Sequence, residues 1–123
     1  KLLAFTSERM TFKDGDVLFR QGEPGDSAYV IIGGEADVII DTPKGPLTVA
    51  KLKRNDIVGE IAILCDVPRT ATIKAASKLE AMVIAKDLFF RLVMEFPQMA
   101  VEIMRELARR LDATNRKLTA KSA

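Results

Sequence analysis

Short runs in which apolar and polar residues alternate fill the chain from residue 10 to residue 85. Alternation with a period of two predicts half-buried strands. Turn-forming pairs such as Asp14-Gly15 and Gly33-Gly34 separate the runs. The predicted strands are 10–12, 17–19, 29–32, 36–40, 47–49, 71–73 and 79–84. Many short strands at this spacing indicate a small antiparallel barrel or sandwich.

The pattern changes to a helical period after Ala85. Apolar residues in segment 86–95 recur at spacings of one, three and four, which predicts a short amphipathic helix packed against the barrel. Phe96-Pro97 then interrupts the pattern, because proline disfavours helix in the residue before it and fits well near a new helix start. A second helix is predicted at about 98–118. The predicted fold class is therefore mainly β with flanking helices, an antiparallel barrel followed by a C-terminal helix pair at about 86–118.

The second predicted helix carries a repeat at heptad spacing. Its members, here called the heptad face, are Ala100, Met104, Leu107, Leu111, Thr114 and Leu118. Such spacing is typical of a helix that pairs with a second copy of itself, so we interpret this helix as a possible homodimer contact. An amphipathic face packed on its own barrel is the alternative.

Segment 58–72 concentrates the candidate binding chemistry. Gly59 allows a tight turn and a close approach to a bound molecule, and the helical turn predicted at 60–64 offers free N–H groups to an anion. Arg69 carries a planar fork of donors that matches two oxygens of a phosphate. A phosphate would repel Glu60, so this carboxylate is better suited to a neutral part of the ligand, such as a sugar hydroxyl. The alternatives are a helix-stabilising acid for Glu60 and an ordinary ion pair for Arg69.

A resemblance to a known family rests on this segment. The two matching runs are Gly59-Glu60-Ile61-Ala62 and Pro68-Arg69-Thr70-Ala71-Thr72. Together they resemble the phosphate-binding cassette of the cyclic nucleotide-binding domain family, which includes bacterial cyclic AMP receptor-type regulators and protein kinase regulatory subunits. The wider likeness covers about residues 10 to 118. It implies a jelly-roll-like barrel (a double-stranded β-helix), a ribose 2′-hydroxyl on Glu60 and a cyclic phosphate on Arg69. Val58 departs from the family, which often has phenylalanine at this position.

Other candidate residues extend this site. Thr70 offers a hydroxyl to the phosphate or to a purine substituent, and the backbone N–H of Ala71 can approach the phosphate. The candidate apolar walls, for each of which a core role is equally open, are Val49, Ile61 and Ile63. The candidates for a lid over the base, with a solvated helix face as the alternative, are Arg110, Thr114 and Asn115. The resemblance is compatible with cyclic AMP and with cyclic GMP, and we favour cyclic AMP.

Composition narrows the classes of function. The 123 residues fit one domain, 1–123, with no room for a separate catalytic domain. Histidine is absent, which removes the usual general base and the commonest metal ligand, so we expect neither an enzyme nor a metal cofactor. A net charge of +2 gives no argument for direct nucleic-acid binding. The apolar runs are far shorter than the ~20 residues of a membrane-spanning helix.

The single cysteine and the glycines add two expectations. Cys65 cannot form an internal disulfide, so a reducing compartment such as the cytoplasm is expected. Because no lysine or second cysteine lies near Cys65 in sequence, we do not expect a reactive thiol. The glycines interpreted as turn residues with positive φ are Gly15, Gly22, Gly25, Gly34 and Gly45. Only Gly59 is better explained by function.

These observations predict a regulatory domain that binds a cyclic purine nucleotide. The movement of its last helix would then signal to an effector domain or partner protein outside this chain. The alternative is a dimerisation or docking module that keeps the fold and binds no ligand. A phosphodiesterase is disfavoured, because it needs a metal or a general base.

Overall fold

Eight β-strands and three helices make up the part of the chain that the computed structural model describes, residues 8–122 for the backbone and 8–109 for the side chains. The strands are β1 (Glu8–Phe12), β2 (Val17–Phe19), β3 (Ser27–Gly33), β4 (Ala36–Thr42), β5 (Gly45–Leu52), β6 (Ile57–Val58), β7 (Thr72–Ala75) and β8 (Leu79–Ala85). The helices are α1 (Glu60–Cys65), α2 (Lys86–Glu95) and α3 (Pro97–Ser122).

The strands form two antiparallel sheets of four strands each within the described residues. Their orders are β1-β8-β3-β6 and β2-β7-β4-β5, so the chain passes repeatedly from one sheet to the other. One buried apolar cluster takes residues from both sheets, including Phe12, Ile31, Leu52, Ile73 and Leu79. Fully burying side chains of this size stabilises the fold by about 1.5–3 kcal/mol each. The predicted fold class, mainly β with flanking helices, is confirmed.

The helices pack on the outside of the sheet that contains β3 and β8. A second buried cluster joins this sheet to all three helices, and its members are Ala28, Ile63, Ile84, Leu88, Phe89, Leu92 and Ile103. Helix α2 has the predicted bounds. Helix α3 begins at Pro97, one residue before the predicted start, because a proline at the first helical position lacks only an N–H that would have no partner there.

Strand β2 has its predicted bounds, whereas the other six predicted strands differ at one or both ends and one strand was not predicted. The pattern did not predict β6, because two residues, Ile57–Val58, are too few to show a period. Strand β7 begins at Thr72, so Ala71 precedes the strand instead of opening it. Strand β5 starts at Gly45 and contains Pro46, which an edge strand tolerates because one side of its backbone has no strand to bond.

The heptad face is divided in the structure. On α3, residues Met99, Ile103 and Leu107 pack against the second cluster, at the spacing of a helix face turned towards its own domain. Met104 is 61% exposed. The side chains of Leu111, Thr114 and Leu118 lie outside the described residues. The homodimer contact stays a prediction. Leu107 fits at least the alternative, in which this helix face packs on its own barrel.

Candidate functional site

Helix α1 begins at a glycine that no other residue could easily replace. Gly59 precedes the helix with φ +90, a conformation that favours glycine. A Cβ atom built at this position would lie 2.7 Å from Nη1 of Arg69 and 3.0 Å from the carbonyl oxygen of Ser27. Gly59 therefore lets Arg69 lie directly against the start of the helix. The helix ends after Cys65, where Asp66 takes a left-handed conformation and its N–H donates to the carbonyl of Ala62.

Arg69 is a buried cation whose donors are only partly used. The residue is 5% exposed, and its Nη1 donates to the carbonyl oxygens of Ser27 and Gly59 at 2.9 and 3.1 Å. Its guanidinium carbon lies 3.9 Å from the centre of the Phe19 ring. Nε is also buried, but it has no hydrogen-bond partner among the residues that the structure describes. A buried donor without a partner is costly, so an acceptor that reached this atom would stabilise the guanidinium.

The loop between β2 and β3 fixes the backbone of Arg69. The N–H of Arg69 donates to the carbonyl of Glu23, and the N–H of Gly22 donates to the carbonyl of Arg69, both at 2.8 Å. The interpretation of Gly25 as a turn residue with positive φ is wrong, because its φ lies outside that range. A Cβ at Gly25 would instead lie 2.6 Å from Nε of Arg69 and 2.8 Å from Cβ of Ala62. Glycine is thus needed at position 25 because the side chain of Arg69 lies too close to leave room for a Cβ atom.

The other four glycines interpreted as turn residues do have positive φ. They are Gly15, Gly22, Gly34 and Gly45, with φ of 92, 90, 87 and 114.

Burial and nearby acidic groups act on the pKa of Arg69 in opposite directions. Burial lowers the pKa of its guanidinium, whereas Tyr29, Asp26, Glu23 and Glu60 act in the opposite direction. Glu60 is itself only 1% exposed. Arginine keeps its proton in proteins, so the site holds a buried cation and a buried acid on one short segment. Such a pair can bind a ligand that has an anionic group beside a hydroxyl donor.

These residues open onto a cavity of about 450 Å³, within the usual range for small-molecule sites. Eight of the ten predicted site residues line it, namely Val49, Gly59, Glu60, Ile61, Ala62, Arg69, Thr70 and Ala71. The two others, Arg110 and Thr114, lie on α3 beyond the described side chains, as does Asn115. Ile63 does not line the cavity and is buried in the second cluster, so its core interpretation is the one that fits.

Sequence reasoning did not include eight residues of the cavity wall. Six lie outside segment 58–72, on four strands and on α3, and they are Phe19, Val38, Ile40, Ala50, Ile73 and Leu107. The other two, Val58 and Cys65, lie within that segment. The alternation in β4 puts Val38 and Ile40 on one face and could have indicated them as a pair. No sequence signal connects Phe19 with Arg69, fifty positions later. The cavity therefore has a charged end at Glu60 and Arg69 and a mostly aliphatic remainder.

Other kinds of site were sought in the same residues. A smaller cleft of about 260 Å³ lies between segment 55–57 and α3, and it contains none of the predicted site residues. Within the described residues, no group of three or more histidine, cysteine, aspartate or glutamate side chains could hold a metal ion. No helix in that part of the chain is both long and apolar enough to cross a membrane.

Comparison with known proteins identifies the family. The family model described as the cyclic nucleotide-binding domain matches residues 9–96, which is more than half of the chain. This chain belongs to the cyclic nucleotide-binding domain family. The family resemblance noted in segment 58–72 is thereby confirmed. The match includes β2, β4, β5 and the cassette, and so almost all of the described cavity wall.

Three similar proteins illustrate the range of this family. A cAMP-dependent protein kinase regulatory subunit of Blastocladiella emersonii is 39% identical over 92 residues, 74% of this chain and 23% of the relative. A CRP-like cAMP-activated global transcriptional regulator of Mycobacterium tuberculosis is 31% identical over 108 residues, 87% of this chain and 48% of the relative. The regulatory domain of Toxoplasma gondii PKA, crystallised with cAMP, matches with a TM-score of 0.74 and 27% identity, covering 85% of this chain and 41% of that chain.

This chain spans less than half the length of each of these proteins. All three are regulatory proteins and none is named as an enzyme. The chain is thus a cyclic nucleotide-binding regulatory domain, like parts of larger regulators.

Proposed function

We propose that this domain binds cyclic AMP in preference to cyclic GMP, in the cavity lined by segment 58–72. The observation that carries the proposal is the buried Nε of Arg69, which has no partner among the described residues although Nη1 of the same group has two. An anionic oxygen at this atom would complete the hydrogen bonding of the guanidinium. The cyclic phosphate is assigned to Arg69, with the hydroxyl of Thr70 and the backbone N–H of Ala71 beside it.

Glu60 is assigned to the ribose 2′-hydroxyl. Its carboxylate lies in the first turn of α1, where free backbone N–H groups stabilise an acid, and it lines the same cavity as Arg69. An acidic acceptor discriminates between two sugars, because the 2′-deoxy sugar leaves the buried carboxylate without that donor. The pairing of a cation and an acid thus suits a ribose cyclic phosphate better than inorganic phosphate.

The base is assigned to the aliphatic part of the cavity. Val38, Ile40 and Val49 come from β4 and β5, and Leu107 reaches the cavity from α3. Packing against a purine face requires only apolar area, so these contacts accept adenine and guanine alike. The preference for cyclic AMP is supported by the relatives, of which the first is named as cAMP-dependent and the second as cAMP-activated.

The signal is assigned to the position of α3. Leu107 contacts both the cavity and the second cluster, so a bound base would change the packing of this helix. Positions 110 and 114 follow Leu107 by three and seven residues, the spacing of one helix face, and we propose Arg110 and Thr114 as lid residues over the base. An effector domain or partner protein would respond to this change, and a homodimer through the heptad face is part of the same proposal.

Titration calorimetry with cyclic AMP, cyclic GMP and 5′-AMP tests this function. We expect binding of both cyclic nucleotides, with the lower Kd for cyclic AMP. We expect much weaker binding of 5′-AMP, because its phosphate is not cyclised and therefore has more negative charge and a different shape. An absence of heat with either cyclic nucleotide at millimolar concentration would reject the proposal and favour the ligand-free docking module. A lower Kd for cyclic GMP would reject the base preference alone.

A further inference from the structure

Cys65 lies at the mouth of the proposed nucleotide cavity. It is the last residue of α1 and the single cysteine of the chain. Its side chain is exposed, yet it lines the same cavity as Glu60 and Arg69. Cys65 is thus both exposed to solvent and part of the cavity wall. A reagent can therefore reach this thiol without opening the fold.

Arg69 gives a second reason to expect a ligand in this cavity. Arg69 is 5% exposed, lines the cavity and has a buried Nε without a partner among the described residues. A native fold rarely leaves a buried donor in this state unless a bound group completes it. Cys65 is thus an accessible nucleophile at the entrance of a site built for a small molecule.

A group bonded to Cys65 would lie beside the cavity that Glu60 also lines. Glu60 and Cys65 are the first and last residues of one short helix, about 7.5 Å apart along its axis at 1.5 Å per residue. Ile61 and Ala62, one turn before Cys65, also line the cavity. Because the cavity is only about 450 Å³, an adduct the size of a tripeptide and a nucleotide would compete for it.

We propose that Cys65 is a thiol-modification site that closes the cavity to cyclic nucleotide, and that its reaction partner is a small disulfide of the oxidised glutathione type. The inference rests on the function proposed above and adds a form of regulation to the same site. Neighbours along the chain give no reason to expect a reactive thiol at Cys65. The fold adds solvent access and a cavity that admits small molecules.

The reaction is a thiol–disulfide exchange and needs no further oxidant. The deprotonated sulfur of Cys65 attacks one sulfur of the small disulfide, and a new S–S bond forms between them. The original S–S bond breaks, and its electron pair leaves with the second sulfur as a thiolate, which takes up the proton that Cys65 released. A reducing thiol reverses the exchange, so the closure is reversible.

The experiment treats the whole chain with oxidised glutathione at mildly alkaline pH, with and without saturating cyclic AMP. Intact mass follows the adduct, and titration calorimetry gives the Kd for cyclic AMP of the reduced, modified and re-reduced protein. We expect one glutathione adduct, slower modification in the presence of cyclic AMP, and a loss of affinity of roughly tenfold or more that dithiothreitol restores. Cys65→Ala is the matched control, and its own Kd should be the same before and after treatment.

The outcomes separate this inference from the proposed function. Unchanged affinity in fully modified protein would overturn the inference and leave the function intact. Modification at the same rate with and without cyclic AMP would also overturn it, as would a disulfide-linked pair of chains in place of the glutathione adduct. If the reduced protein fails to bind cyclic nucleotide, the proposed function is rejected and this inference with it.

Discussion

The guanidinium carbon of Arg69 lies 3.9 Å from the centre of the Phe19 ring. Cations are attracted to the face of an aromatic ring, and the attraction is strongest where both groups are shielded from water. Phe19 is 8% exposed and Arg69 is 5% exposed, so this contact is well shielded. Gly25 and Gly59 leave room for the same group, and an added Cβ at Gly59 would also lie 3.4 Å from the Phe19 ring. Arg69 therefore packs closely against an aromatic ring and two glycines, which limits its orientations.

This contact predicts that Phe19→Leu weakens nucleotide binding more than its effect on stability explains. We expect a loss of about 0.5–2 kcal/mol in binding free energy, because leucine keeps the apolar packing but has no ring face for the cation. Phe12→Leu is the matched control, since Phe12 is equally exposed, belongs to the same cluster and also contacts Tyr29. Calorimetric titration and thermal unfolding of both variants provide the comparison. Equal Kd values for the two variants would mean that Phe19 contributes only packing.

Gly25→Ala is predicted to displace Arg69. The new Cβ would lie 2.6 Å from Nε and 2.7 Å from Cζ, closer than these atoms can approach, so the guanidinium must move. We expect an affinity loss on the order of tenfold or more for cyclic AMP, about the value of one charge-assisted hydrogen bond. Gly33→Ala is the control, because no atom lies within 4 Å of its added Cβ and its φ is ordinary. If both alanine variants bind like the wild type, Gly25 does not orient the arginine.

Glu60→Gln is predicted to reduce binding of cyclic AMP far more than binding of 2′-deoxy cyclic AMP. The amide is a weaker acceptor than the carboxylate for the ribose 2′-hydroxyl, and the deoxy ligand lacks that hydroxyl altogether. We expect a difference of about 1 kcal/mol or more between the two losses, measured by calorimetry. A loss of the same size for both ligands would indicate that Glu60 only stabilises the start of α1.

Met104→Glu tests the heptad face without disturbing the cavity. Met104 is 61% exposed in the single chain, whereas Leu107 packs on its own domain and lines the cavity. A change at Met104 therefore tests pairing between two copies separately from packing within one domain. If two copies meet along this face, a carboxylate buried between them should give monomers, with little change in nucleotide Kd. Light scattering measures the mass. A wild-type protein that is already monomeric at high micromolar concentration would contradict the dimer prediction.

The sequence predicts best what is local in the chain. Gly59, Glu60 and Arg69 lie within eleven residues, so their spacing in the sequence is enough to assign them to one site. The positions of most strands and of α2 follow from their periods, since side-chain direction repeats every two residues in a strand and every 3.6 in a helix.

Contacts between distant segments were beyond such reasoning. The ring of Phe19 meets Arg69 only because β2 and the cassette are neighbours in the fold, and Gly25 has a steric role that its turn-like setting concealed. The heptad interpretation of α3 was ambiguous for a different reason, because spacings of three and four serve a self-packed helix and a paired helix equally. Burial of Ile103 and exposure of Met104 distinguish the two faces in the described part of the helix.

The central claim is that Arg69 binds the phosphate of a cyclic nucleotide, and Arg69→Ala tests it most directly. Calorimetric titration with cyclic AMP should show tight binding by the wild type and a loss of at least about 1.5–3 kcal/mol in the variant, the range for hydrogen bonds to charged groups. Circular dichroism should show that the variant remains folded, and Arg54→Ala, an exposed arginine outside the cavity lining, should bind like the wild type. A folded Arg69→Ala variant with the wild-type Kd would contradict the account.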